Sequence, residues 1–303
     1  MLNLERLRIL WAIGRHGSVS GAAEGLHVTT SAISQQMAKL EREVGQRLIT
    51  RNGRGVRLTD AGRLLARHAD RILSEIQLAE ADLEAHRGEA VGEVLVGAFP
   101  TSLRGLGPEA LRWVKDRHPG LRIDIREVEP DVSVNQVVRG ELDLAIVLDW
   151  SNKPLSLPAG LAKAPLLTDA ADLALPADHR LADRDSIDIA ELGDEEWIAW
   201  PEGQFCRDWL MYTLRGKGIE PKVTHTAEEH PTQLVLVAEG FGVAVAPRLG
   251  QVSIPPGVVM IPCQEQWRRH IYLIWREEAD QRPTVQATVA AFRAAAALAE
   301  EPG

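Results

Sequence analysis

Cysteine is scarce in this 303-residue chain. Cys206 and Cys263 are the only two, too few for a disulfide framework or a four-cysteine zinc site. Long apolar runs are missing as well: none approaches the roughly 18 residues of a membrane span. The first eight residues already carry charge and helical periodicity, so no signal peptide is expected. Enzyme motifs are also absent. There is no Walker phosphate loop, no Gly-x-Ser-x-Gly elbow and no His-Glu-x-x-His. His225 and His230 stand five apart with no cysteine nearby, which argues against zinc. The expectation is a cytoplasmic protein that is not an enzyme and needs no metal, cofactor or membrane. Its length suggests two or three domains. With 45% hydrophobic and 25% charged residues, it is not a disordered or fibrous chain.

The total charge of −9 is unevenly spread. Residues 1–65 hold ten basic side chains against five acids, a net of +5, so the remaining 238 carry −14. A basic head on an acidic body suits a nucleic-acid-binding domain fused to a second module. In the head, Leu4, Leu7, Ile9, Leu10 and Ile13 recur on one helical face behind Asn3 as N-cap, and Gly14 and Gly17 are expected to stop that helix. Ser18 caps a second helix over 19–26 with small residues at Gly21, Ala22 and Ala23. Thr29 caps a third over 30–44, closed by Gly45. The third helix turns Ile33, Met37, Leu40 and Val44 inward. It leaves Thr30, Ser31, Ser34, Gln35 and Lys39 outside, side chains that bond to base edges and phosphates. Asn52-Gly53 between alternating residues predicts a tight hairpin, whose Arg51 and Arg54 would meet phosphate or a narrow minor groove. From Leu64 to His86 there is neither proline nor glycine. Leu65, Ala69, Ile72, Ile76, Ala79 and Leu83 follow a heptad spacing, which predicts a helix seeking a second copy of itself.

Several stretches of this head resemble the LysR-type transcriptional regulators. They are Ser20-Gly21-Ala22-Ala23, the run from Leu26 to Gln36, Leu40-Glu41 with Gly45, and Leu58-Thr59-Asp60-Ala61-Gly62. Leu48-Ile49 departs from the family's usual Leu-Phe. The resemblance continues through the body, at Gly140-Glu141-Leu142-Asp143-Leu144-Ala145-Ile146 and at Glu239-Gly240-Phe241-Gly242-Val243-Ala244 with Pro247. It implies a winged helix-turn-helix over 1–58 and a linker and dimerisation helix over 59–90. It also implies an α/β, periplasmic-binding-protein-like effector domain over 91–303, with lobe I at 91–161 and 267–303 and lobe II at 162–266. The strand–helix alternation of the body independently suggests βαβ units and a largely parallel sheet.

Thr101 and Ser102, with Thr29 in the head, stand at helix starts. At 101–102 the hydroxyls and free amides suit either a cap or a carboxylate. The resemblance implies an interlobe cleft for a small, carboxylate-bearing effector. Thr101, Ser102, Asp149 and Trp150 would line one wall. Trp200, Glu202, Phe205, Glu228 and Thr232 would line the other. It further implies double-stranded DNA with an inverted-repeat promoter site as partner, and a homodimer assembling as a dimer of dimers, a homotetramer. Two alternatives stay open: an enzyme on a binding-protein-like fold, and a thiol redox sensor, since a helix start at Cys206 would lower its pKa.

Overall fold

The computed structural model describes residues 2–26, 28–52, 55–251 and 253–300. The side chains of 51, 52, 55, 74, 77, 78, 80–82, 84–87 and 300 fall outside that description. The chain forms two compact units, residues 1–87 and 88–303.

The first unit runs α1 (Leu4–His16), α2 (Val19–Gly25), α3 (Thr30–Val44), β1 (Ile49–Asn52), β2 (Gly55–Leu58) and α4 (Asp60–Arg87). Each early helix starts on the cap its sequence offers. Asn3 accepts from the Arg6 amide, Ser18 from Gly21 and Thr29 from Ala32. Gly14 does not end α1. The helix runs on to Gly17, and Gly14 makes room for Leu58, whose Cδ1 would lie 3.0 Å from an added Cβ. Leu10, Ile13, Ile33, Met37, Leu40 and Leu48 are fully buried together, each worth about 1.5–3 kcal/mol. Ile49 packs against this cluster. Glu41 explains its place in the motif, because its carboxylate accepts from the amides of both Leu48 and Ile49, at 2.8 and 3.2 Å. Gly62 must be glycine, since a Cβ there would sit 2.0 Å from the Leu48 carbonyl oxygen. The apolar stripe of α4 is not uniform. Leu65 and Ala66 pack on the head core and Ala69 is buried, whereas Ile72 is 39% and Leu83 66% exposed.

The second unit runs β3 (Gly92–Ala98), α5 (Pro100–Arg117), β4 (Leu121–Glu127), α6 (Pro130–Arg139), β5 (Leu144–Trp150) and β6 (Leu161–Pro176). It continues with β7 (Glu196–Ala199), α7 (Phe205–Gly216), β8 (Lys222–Thr226), α8 (His230–Ala238), β9 (Ala244–Pro247), β10 (Val258–Ile261), β11 (Trp267–Arg276) and α9 (Pro283–Glu300). The main sheet has the order β10-β6-β11-β5-β3-β4, with β9 also on β6. It is not largely parallel. Parallel pairing joins β3 to β4 and β5, but β11 is antiparallel to both β5 and β6, and β6 to β9 and β10. The cause is the length of β6, which runs through both halves, as does β11. These two strands are the crossovers of a two-lobed domain. Their ladder skips Leu166 beside Pro165, where proline has no N–H to give. Asp143 accounts for the first body motif by accepting from the Leu95 amide at 2.9 Å.

Candidate functional site

On the head, α3 turns one face to its neighbours and leaves the other free. Thr29, Thr30, Ser31, Ser34, Gln35 and Lys39 are all exposed. Thr29 spends its oxygen on the cap (3.1 Å), and the Ser34 hydroxyl donates to the Thr30 carbonyl at 2.9 Å. Gln36, the next residue along, faces inward and accepts from Arg6 Nε at 3.1 Å. This leaves Gln35 as the amide of the pair that is open to a ligand. β1 and β2 form the antiparallel hairpin. Arg54 lies outside the described residues, as does the Arg51 side chain.

In the second unit two of the sequence-predicted residues, Thr101 and Trp150, meet at a side chain that sequence reasoning missed. Arg269 on β11 is 2% exposed. Its Nε donates to Asp169 at 2.7 Å, one nitrogen donates to Thr101 Oγ1 at 2.9 Å, and the guanidinium lies over Phe99. Asp169 also accepts from the Leu249 amide at 3.0 Å. The following residue, Gly250, adopts φ 65° and lies so near the Thr101 carbonyl that a Cβ would come within 2.1 Å. Ser102 is buried and donates to the Phe99 carbonyl at 2.8 Å. The first turn of α5 therefore presents its hydroxyls with their partners already assigned, and Pro100 sits at its start.

Burial holds His230, Glu129 and Cys206 off their ordinary values. Desolvation lowers His230 to about 3, with Arg269 and Arg104 adding to the shift, so its ring is neutral; it meets Trp200 edge-on. Glu129, at the start of α6, is raised to about 7, first by desolvation and then by Asp131, Glu127, Glu228 and Glu229. Cys206 does lie in the first turn of α7, but its thiol is not activated. Desolvation pushes it up to about 12 against the pull of Arg269. Cys263 also rises to about 12, by desolvation and then Asp172 and Asp188.

The remaining expected residues divide. Trp150 is buried, stacked on Trp209 at 3.6 Å between centroids, and beside Cys206. Phe205 is half-buried with the Lys153 ammonium over its ring. Asp149 does not join the group. Trp150 pairs with Arg269 whereas Asp149 pairs with His270, and successive residues of a strand face opposite sides. Asp149 instead lines a separate hollow of about 500 Å³ with Lys163, His270 and Tyr272. Glu202, Glu228 and Thr232 are exposed, and Glu228 reaches the site through its charge on Glu129. Among the described residues no cluster suits a metal ion, and no helix is long and apolar enough to cross a membrane. Arg269 and Asp169 were hidden because nothing local marks them: they are 100 residues apart and meet only through the β6–β11 register.

The comparisons with known proteins agree on one family. Residues 4–63 match the bacterial regulatory helix-turn-helix protein, lysR family, and residues 87–297 the LysR substrate binding domain. The chain is 28% identical over 300 residues to the DNA-binding transcriptional dual regulator OxyR of Escherichia coli (strain K12), covering 97% of this chain and 95% of that one. A full-length OxyR variant from Pseudomonas aeruginosa superposes with a TM-score of 0.70 at 24% identity, over 97% and 95% of the two chains. Full-length CbnR, solved in complex with its target DNA, gives 0.56 at 22%, over 97% and 100%.

Proposed function

The chain belongs to the LysR family of DNA-binding transcriptional regulators, and from that premise we propose how it reads DNA and what it senses. The α3 face reads duplex DNA in the major groove through Thr30, Ser31, Ser34 and Gln35, with Thr29 and Lys39 at its margin. Arg51 and Arg54 of the hairpin hold the backbone. The observation that carries this is the contrast between Gln36, engaged by Arg6, and Gln35, free and exposed. Two heads are joined by the exposed part of the α4 stripe, so the promoter site is an inverted repeat, and such dimers pair into tetramers.

The group around Arg269 is the effector site. Thr101, Ser102, Trp150, Trp200 and Phe205 form it, and Glu202, Glu228 and Thr232 edge it. The ligand is a small carboxylate-bearing molecule whose anion meets the first-turn amides of α5. A Glu129 that titrates near neutrality suits such a ligand, because in its protonated form it does not repel the anion and can donate to it. Titrating organic acids against intrinsic tryptophan fluorescence tests the placement. Thr101→Val should weaken the response to a carboxylate and leave operator affinity without ligand unchanged.

The E. coli relatives include a protein named hydrogen peroxide-inducible genes activator. Thiol sensing is not the reading favoured here, because thiolate is the reactive form and both thiols of this chain are raised to about 12.

A further inference from the structure

The hollow that holds Asp149 lies on the opposite face of the β6–β11 ribbon from Arg269. His270 follows Arg269 on β11, and successive strand residues face opposite sides. None of the effector-site chemistry above uses this hollow. Its volume of about 500 Å³ falls within the range of small-molecule pockets. Three strands supply its walls. β5 gives Asp149, β11 gives His270 and Tyr272, and β6 gives Lys163 and the bulge at Pro165 and Leu166. Pro165 is exposed and Leu166 half-buried, so the bulge offers an apolar surface.

Two opposite charges stand in this hollow without meeting. The Lys163 ammonium lies 5.2 Å from the centre of the Tyr272 ring. The Tyr272 hydroxyl donates to Asp149. Burial, the Asp149 charge and that bond together push the phenol above its ordinary range, so it stays a donor. The two charges thus flank one buried ring. Among the described residues neither Lys163 nor Asp149 has an ion-pair partner. His270 does not compete for Asp149, because its ring nitrogens meet Thr168 Oγ1 at 3.1 Å and Ser151 Oγ at 3.3 Å. Lys163 is exposed and Asp149 half-buried, so both are open to a ligand. An ammonium and a carboxylate set apart across an aromatic ring match a molecule that carries both charges in the reverse order.

We propose that this hollow is a second small-molecule site, distinct from the one around Arg269, and that it takes a zwitterionic amino acid with an apolar side chain. The ligand carboxylate pairs with Lys163, its ammonium pairs with Asp149, and its side chain lies on Pro165 and Leu166. Such a ligand ties β5 to β6 across β11 at the place where the ladder skips a residue, and so stiffens the ribbon at its most deformable point.

Calorimetric titration of the full chain with L-leucine and L-phenylalanine tests this, beside their one-charge counterparts. 4-Methylpentanoate and 3-phenylpropanoate lack the ammonium; 3-methylbutylamine and 2-phenylethylamine lack the carboxylate. At least one amino acid should bind at about millimolar concentration, and about tenfold more tightly than either counterpart, the worth of one charge-assisted hydrogen bond. Lys163→Gln, at an exposed position, should erase the advantage over the amine. Asp149→Asn, which keeps an acceptor for Tyr272, should erase the advantage over the carboxylate. Thr101→Val, which weakens the Arg269 site, should retain both preferences. The proposal is overturned if neither amino acid binds at about millimolar concentration, or if the one-charge compounds match them in the Thr101→Val protein. It is equally overturned if either Lys163→Gln or Asp149→Asn keeps the wild-type preference. Loss of amino-acid binding in Thr101→Val would also overturn it, since the ligand would then occupy only the Arg269 site.

Discussion

The outer face of α3 and the group around Arg269 are both polar, but they manage their hydrogen bonds in opposite ways. On α3, the side chains of Thr30, Ser31 and Gln35 are exposed to water. Around Arg269 the charged groups and hydroxyls hold one another, and only His230 Nε2 and Trp150 Nε1 are buried without a hydrogen bond among the described residues there. The guanidinium holds Asp169 and Thr101, Asp169 holds the Leu249 amide, and Ser102 holds Phe99. A surface that reads DNA can keep its donors hydrated until the partner arrives. A buried site has no water to lend, so its groups must satisfy one another first. The same substitution logic should therefore give stability effects in one region and affinity effects in the other.

The largest effect separates them most sharply. Arg269→Met strands Asp169 without its countercharge and should cost about 3–5 kcal/mol of stability, read by urea denaturation. A loss below about 1 kcal/mol would mean that the pair is not held as described. Next comes the exposed stripe of α4. Ile72→Glu sets like charges across the proposed two-fold axis and should weaken self-association about a hundredfold, seen as monomer in sedimentation. An unchanged assembly would remove α4 from the interface. Gln35→Ala should lower operator affinity by about 1–3 kcal/mol and relax one base position, with unfolding midpoints unmoved. A shift in stability instead would blur the contrast with Arg269.

The pH dependence gives a finer distinction. Glu129 has its folded pKa raised to about 7. The folded state therefore prefers the protonated acid, and that stabilisation is complete below the ordinary carboxyl range. It is lost as pH climbs through about 7. Glu129→Gln should flatten the stability profile between about pH 5 and pH 8, and carboxylate binding in wild type should tighten as pH falls across that window. A Gln variant with the wild-type slope would assign the titration elsewhere. The smallest effect is an expected zero. Hydrogen peroxide should leave operator affinity as it was, in wild type and in the Cys206→Ser, Cys263→Ser double variant alike. A response confined to wild type would restore the thiol reading.

The head was almost fully legible because its signals are local. Caps lie three residues from their amides, and the buried stripe of α3 follows one helical period. The misread element there, Gly14, failed for a tertiary reason: Leu58 needs its space from 44 residues away along the chain. The body was legible as alternating strands and helices, yet its sheet direction was not. A 16-residue β6 interrupted by Pro165 reads as a short strand after a loop. Of the residues around Arg269, the α5 hydroxyl of Thr101 and the ring of Trp150 were visible from their types and places. Arg269 was not, because an arginine in an alternating strand looks like a solvated one. Asp149 was misplaced by treating neighbours on a strand as if they shared a side.

The rung missing at Leu166 has a mechanical meaning. Two long antiparallel strands shared by both lobes act as a ribbon. Such a ribbon resists sliding, because a slip of one residue turns every side chain to the wrong face. It yields more readily to bending and twist where a bulge already interrupts the ladder. At Pro165 and Leu166 a distortion sacrifices the least pairing, so the ribbon is easiest to bend there. Arg269 and Asp169 sit on the same ribbon, only a few residues beyond that weak point. Through Arg269 the ribbon is tied to Thr101 in the first turn of α5, so a bend at the bulge strains that one hydrogen bond directly.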